Sequence, residues 1–286
     1  MDITRKATMI GSISILLWGT LALLTQLTEG RIPPFQLLSM TFFIAFLMIL
    51  TRWRLQGHWG TRFARQPWHA WLHGVGGLFG YHFCYFLAIS YAPVIEVSLL
   101  AYLWPLFIVL FAALLPGEQL KKQHFIGAII ALSGCWFLIG ENGEGFNNIY
   151  LKGYLLAFLC SLIWSSYSVI GRMIKQVPTD AVGWFCGVTA ILGLMCHLIW
   201  EATVWPKTGF HWLGVIGLGL GPVGLAFFTW DYGVKHGNLQ LLGVFSYSAP
   251  LISTLLLVIT GVTSTHISIF IAPIAICLGA LIASRK

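Results

Sequence analysis

Tyr85-Phe-Leu-Ala-Ile-Ser-Tyr-Ala-Pro-Val-Ile-Glu-Val-Ser-Leu-Leu-Ala-Tyr-Leu-Trp-Pro-Leu106 is the stretch that decides the fold. Apolar residues run up to it and away from it, and only Tyr91, Ala92 and Pro93 interrupt them. Proline disfavours helix in the residue before it, so one helix ends here and another begins. Each flanking run has the roughly 20 apolar residues that a helix needs to cross a bilayer. The stretch reads as the tight joint between two membrane spans.

The same reading extends in both directions. Apolar runs fall at approximately 8–28, 34–51, 68–91, 94–115, 124–140, 152–174, 181–200, 210–234, 238–260 and 267–283. Pro34, Pro178 and Pro206 sit near boundaries, where proline is tolerated. Apolar residues make up 58% of the chain and charged ones 9%, against about 25% charged in a soluble domain. Too few polar side chains exist to clothe a water-facing surface. The links are too short for a domain outside the membrane. The expectation is an all-α polytopic protein of ten transmembrane helices, with the first apolar run retained rather than cleaved as a signal.

The net charge of +7 has a topological explanation that leaves no need for nucleic acid. With ten spans, 13 of the 16 Lys and Arg residues fall on the side of both termini, including Arg52, Arg54, Arg62, Arg65, Arg172 and Lys235. Arg31, Lys152 and Lys207 fall on the other. The positive-inside rule then places both termini in the cytoplasm. One span more or fewer would scramble the asymmetry. The six cysteines, Cys84, Cys135, Cys160, Cys186, Cys196 and Cys277, lie inside apolar runs without CxxC spacing. They read as buried small hydrophobes.

The chain also repeats itself. At a shift of 145, Tyr102 and Pro105 fall on Tyr247 and Pro250; at a shift of 146, Trp18 in Leu-Leu-Trp-Gly falls on Trp164 in Leu-Ile-Trp-Ser. Two five-helix halves follow, 1–145 and 146–286. Five is odd, so the second half enters from the opposite side and the repeat is inverted. Secondary transporters use this device and place their site at the midplane between halves.

The Tyr85–Leu106 stretch, the Pro-Gly-Glu-Gln at 116–119 and the Gly127 and Gly134 that follow resemble the drug/metabolite transporter superfamily, specifically its ten-span EamA-type exporters. The Tyr-Leu-Trp-Pro at 102–105 is most similar to the aromatic amino-acid exporter branch. The resemblance covers nearly the whole chain. It implies a ten-helix inverted-repeat fold in the bacterial inner membrane and export of amino acids or related metabolites. One departure stands out: the second half has Val262 and Thr263 where the Gly-Glu of the first half recurs in many relatives. A structural role for Glu118 is therefore expected.

Polar and aromatic groups within spans carry the functional expectations, because a charge in the membrane is costly and normally faces a cavity or a partner. His82 lies mid-span between Tyr81 and Tyr85, which share a helical face. It reads as a substrate ligand or proton carrier, or else as a neutral histidine bonded to a neighbouring helix. Asp231 is the other possible proton carrier, but its spacing to Lys235 suits a helical ion pair that needs no transport role. Glu96 is expected at the interface. Trp18, Tyr81, Tyr85, Tyr102, Trp104, Trp164 and Tyr247 sit too deep for an interfacial belt. They read as the walls of a cavity for a flat or apolar substrate, or as packing and lipid-facing positions. Ser246, with backbone loosened at Pro105 and Pro250, is placed to meet a carboxylate, and those two prolines are candidate hinges. Gly76–Gly80, Gly183–Gly187 and Gly217–Gly221 read as close helix packing.

The expected function is alternating-access export of neutral, aromatic or large apolar amino acids, with no metal or cofactor. The bilayer and the amino acid are the expected partners; a monomer and a dimer are both compatible with the sequence. The alternatives are export of another metabolite or of a drug cation. Phosphate-bearing cargo is disfavoured because no Lys or Arg lies mid-span. A membrane enzyme would need a catalytic cluster, and the sequence carries no HExxH, GxSxG or paired intramembrane carboxylates. It carries no Walker A motif either.

Overall fold

The computed structural model of the chain describes residues 2–116, 121–140, 147–262 and 268–284. The long helices, in order, are α1 Ile3–Gln26, α2 Pro34–Leu55, α3 Trp68–Tyr91, α4 Val94–Ala112, α5 Lys122–Gly140, α6 Asn148–Met173, α7 Ala181–Trp200, α8 Gly209–His236, α9 Leu239–Ile259 and α10 Ser268–Ser284. Among the described residues there is no strand. Helices α1 to α4 and α6 to α9, eight in all, are long and apolar enough to cross a membrane. The joint that opened the sequence reading falls where expected: α3 ends at Tyr91 and α4 starts at Val94.

Among the described residues four helices are interrupted, and three of the breaks are explained by proline. Proline has no N–H to give the carbonyl one turn back. Helix α4 breaks at Tyr102–Leu103, just before Pro105. Helix α9 breaks at Ser246–Tyr247, just before Pro250. Helix α8 widens into a π turn at Gly221–Leu225 around Pro222, a feature that often accompanies functional sites. Helix α1 is interrupted at Thr20.

The closest pairings are α1 with α8, α2 with α7, α3 with α6 and α5 with α10. Helix α4 lies on α6 and α9, and α9 lies on α1. Helix α8 also packs on α2, and α7 on α3. Glycines permit two of these contacts. A Cβ at Gly233 would stand 2.5 Å from the Gly11 Cα where α1 crosses α8. A Cβ at Gly279 would stand 2.5 Å from the Gly127 carbonyl oxygen where α5 meets α10. The first N–H groups of α2 have no helical partner. Glu201, just past the end of α7, takes those of Phe35 and Gln36 at 2.9 and 3.0 Å.

Glu96, in the first turn of α4, is 1% exposed because α6 covers it, and its carboxylate oxygens have no hydrogen-bond partner among the described residues. One expectation is corrected. Cys277 is exposed, on an outward face of α10, while Cys84, Cys160, Cys186 and Cys196 are buried as free thiols. The Cys135 side chain, Glu118 and Thr263 lie outside the described residues. The glycine pairs also divide. Gly183 and Gly187 face Ile49 and Phe46 of α2 closely, whereas nothing lies within 4 Å of a Cβ at Gly76.

That contrast is testable. Overpacking a tight contact costs about 1–3 kcal/mol. Gly233→Ala is expected to lower the melting temperature of the detergent-solubilised protein by several degrees, and Gly76→Ala to leave it unchanged or raise it. Equal melting for both variants would show that α1 and α8 do not depend on their close approach.

Candidate functional site

The breaks in α4, α8 and α9 converge on one cavity of about 120 Å³. Its walls are Trp18 and Leu21 from α1, Tyr81 and His82 from α3, Tyr102 and Trp104 from α4, Trp164 from α6, Pro222, Val223 and Phe227 from α8, and Ala249 from α9. No lining residue is an Asp, Glu, Lys or Arg. The walls are rings at ring-contact distance. Trp18 meets Trp104 edge-on at 6.1 Å and Trp164 at 5.7 Å. Tyr81 lies 5.7 Å from Trp164. Such pairs prefer tilted or edge-to-face geometry, because the negative ring face attracts the positive edge.

Two hydrogen bonds fix the polar character of the walls. The Trp18 Nε1–H donates to the Pro222 carbonyl, 3.1 Å away, so the first helix is tied to the break in the eighth. The His82 Nδ1 stands 2.7 Å from the Leu78 carbonyl. A carbonyl oxygen only accepts, so Nδ1 carries the hydrogen and the Nε2 of the neutral ring is left as an acceptor. Phe42 stands edge-on to the imidazole at 5.2 Å and holds its plane.

Six of the nine residues expected at a binding site therefore line the cavity: Trp18, Tyr81, His82, Tyr102, Trp104 and Trp164. Three stand behind it. Tyr85 stacks on Tyr81 with centroids 6.1 Å apart, and its hydroxyl lies 3.3 Å from the Ser98 hydroxyl. Ser246 is fully buried and donates to the Leu242 carbonyl at 2.8 Å. Tyr247 is packed with Val109, Ala128 and Ala131, against α4 and α5. Pro105 and Pro250 are buried beside the breaks rather than on the wall. Sequence reasoning missed Leu21, Pro222, Val223, Phe227 and Ala249. The Gly-Leu-Gly-Pro at 219–222 inside an apolar run was the available signal for the α8 break.

Trp230, also missed, is a floor packed behind the wall rings and does not itself line the cavity. It is fully buried, 5.1 Å from Trp18 and 5.7 Å from Trp104, and its indole donates to the Ser168 hydroxyl at 3.0 Å. Asp231 is beyond that floor, not in the cavity. Its Oδ2 accepts from Lys235 Nζ at 2.8 Å and from the Thr179 hydroxyl at 2.5 Å. Lys235 also donates to the Val177 carbonyl at 2.8 Å. A second hollow of about 470 Å³ lies between α2 and α7, lined by Phe43, Phe46, Ile191 and their apolar neighbours. It lacks the convergent polar groups that mark a specific site.

The chain matches the EamA-like transporter family twice, over residues 5–140 and over 151–285. It is 50% identical over 281 residues to the aromatic amino acid exporter YddG of Ancylobacter novellus, covering 98% of this chain and 97% of that protein. It is 30% identical to the protein of the same name from Escherichia coli over 296 residues, 97% of this chain and 96% of that one. A solved crystal structure superposes with a TM-score of 0.92 at 49% identity, covering 98% of this chain and 97% of the other.

The ion pair beneath the floor makes a separable prediction. Removing one partner of a buried pair costs about 3–5 kcal/mol, because the other charge is left uncompensated. Asp231→Asn is expected to reduce the yield and melting temperature of folded protein while the surviving fraction still binds cargo. An Asp231→Asn protein that melts like wild type but binds no cargo would place Asp231 in the binding site instead.

Proposed function

The chain belongs to the EamA-like transporter family, and from that premise we propose that it exports neutral aromatic or large apolar amino acids across the cytoplasmic membrane by alternating access. The observation that carries the proposal is a cavity walled by three tryptophans, two tyrosines, a histidine and a phenylalanine and free of ionised side chains. The relatives named as aromatic amino acid exporters support the substrate class.

The scaffold is ten spans in two inverted halves, 1–145 and 146–286, with α5 and α10 as the fifth span of each. The double family match supports it. So do most of the helix pairings, which exchange among themselves when each helix is replaced by the one five places along: α1–α8 becomes α6–α3, α4–α6 becomes α9–α1, α2–α8 becomes α7–α3. The 13-to-3 distribution of Lys and Arg supports cytoplasmic termini,. The cavity then lies at mid-depth between the halves, and the breaks at Pro105 and Pro250 serve as hinges at equivalent places.

Recognition follows from the wall chemistry. An aromatic side chain fits among rings without displacing any bound charge. The ammonium group is held over a ring face, roughly 1–2 kcal/mol when desolvated, and by the acceptor Nε2 of His82. The Tyr81 hydroxyl and the indole N–H groups of Trp104 and Trp164 are the donors for the carboxylate. The same ring faces favour cationic aromatic compounds as a second cargo class.

Flux from reconstituted vesicles loaded with labelled tryptophan, phenylalanine, threonine or a sugar tests the proposal. Tryptophan and phenylalanine are expected to leave fastest; equal failure of every amino acid overturns the substrate assignment. A hydrogen bond to a charged group contributes about 1.5–3 kcal/mol, so His82→Ala is expected to slow tryptophan export about tenfold or more. Export at the normal rate would remove His82 from the site.

A further inference from the structure

The hollow between α2 and α7 has no part in the aromatic cavity, and its surroundings point to what fills it. Phe43 and Phe46 of α2 line it, with Trp184, Val188, Ile191 and Leu194 of α7. These positions recur at helical spacing, so they form one face of each helix. Phe43, Ile191 and Leu194 are 51, 59 and 45% exposed. The hollow therefore opens to the outside of the bundle, where lipid lies. Ser39 aside, its lining side chains are apolar. A polar cargo needs several convergent partners, and an acyl chain needs none.

A basic platform adjoins one end of the hollow, and Trp184 belongs to both. Its ring lies 5.3 Å from Phe46 within the hollow and 5.9 Å from Trp53 beyond it. Its indole donates to the Gly60 carbonyl at 2.9 Å. Trp53 stacks in turn on Phe63 at 5.5 Å. The link from α2 to α3 is thereby folded against the end of the hollow, with its short helical turn Thr61–Ala64 packed on α7. Between residues 52 and 67 the chain has four arginines and no acidic residue. Asp180 offsets one of them, Arg52, at 3.1 Å. The Arg54 guanidinium lies 3.8 Å over the Trp59 ring and that of Arg62 lies 4.6 Å over the Phe63 ring, and both residues are exposed. A guanidinium held over a ring still presents its N–H edge, which meets a phosphate through two parallel bonds.

The separation of hollow and platform matches one lipid molecule. Phe46 and Ser39 precede Arg54 by 8 and 15 residues, about 12 and 22 Å along a helix. A phospholipid reaches from the surface to the midplane over half a bilayer, about 20 Å. With its phosphate at the level of Arg54, its chains end alongside Phe46 and Phe43. The positive-inside rule accounts for arginines at this end, but it needs no ring beneath them and no hollow one lipid length away. We infer that the hollow and the link form one site for a single anionic phospholipid, with an acyl chain along Phe43, Phe46 and Val188 and the phosphate held by Arg54 and Arg62. The site is separate from the aromatic cavity and stands whether or not that cavity carries amino acids.

Native mass spectrometry of the full-length protein in detergent tests it, with phosphatidylglycerol or phosphatidylcholine of the same chains added. One phosphatidylglycerol is expected to bind about tenfold more tightly than phosphatidylcholine, because each arginine near the surface adds attraction for an anionic headgroup. Arg54→Gln combined with Arg62→Gln is expected to remove that preference. Val188→Trp, which fills the hollow, is expected to weaken both lipids about tenfold, since several methylenes lose their cover. Ser39→Trp fills the hollow from α2 and stands in if Val188→Trp does not fold. Phe125→Trp, at an exposed position of α5, is expected to change neither lipid. Equal binding of the two lipids, wild-type binding by a folded hollow-filling variant, or the same loss in Phe125→Trp overturns the site. Displacement of phosphatidylglycerol by an equal concentration of glycerol phosphate also overturns it, since the headgroup alone then suffices. A dimer that Val188→Trp abolishes gives the hollow to a second copy of the chain instead.

Discussion

The indole of Trp18 has a hydrogen to give, and inside an apolar bundle a protein carbonyl takes it,. The acceptor is the Pro222 carbonyl, which lies where proline and two glycines accompany the widening of α8 into a π turn,. This one bond joins the first helix of the chain to the eighth. It turns the Trp18 ring broadside to the cavity, where Trp104, Trp164 and Trp230 close around it. The aromatic chamber depends on that orientation, and the orientation depends on a helix break 204 positions further along the chain.

The distribution of charge follows the same logic. The chain keeps an ion pair inside the bundle, Asp231 with Lys235, but sets it below the tryptophan floor rather than in the wall. A fixed charge in the cavity would bind an amino acid's opposite group strongly and would stand uncompensated each time the cargo left. On the proposed reading, ring faces, hydroxyls and one imidazole acceptor hold the same cargo with groups that are inexpensive to leave empty. An exporter has to release what it binds, and a wall of dipoles and quadrupoles permits both steps.

Much of this was legible in the sequence, and the limits have physical causes. Span ends were visible because Pro93, Pro34 and clusters of Arg and Lys punctuate apolar runs, and α3 and α4 end and begin where Pro93 required. Five wall residues were visible because Trp and Tyr at mid-span are too deep for an interfacial belt, and His82 because a titratable group inside a span normally faces a cavity or a partner,. Rotation about the helix axis was not visible. In a helix apolar on every side no polar stripe marks the inner face, so Tyr102 and its repeat counterpart Tyr247 looked alike, although one lines the cavity and the other packs behind it. The Lys235 spacing revealed the partner of Asp231; Thr179 and Val177 come from a link whose path depends on the fold. Glu96 was legible as a span-end residue, but its burial under α6 was not, because that contact depends on the fold.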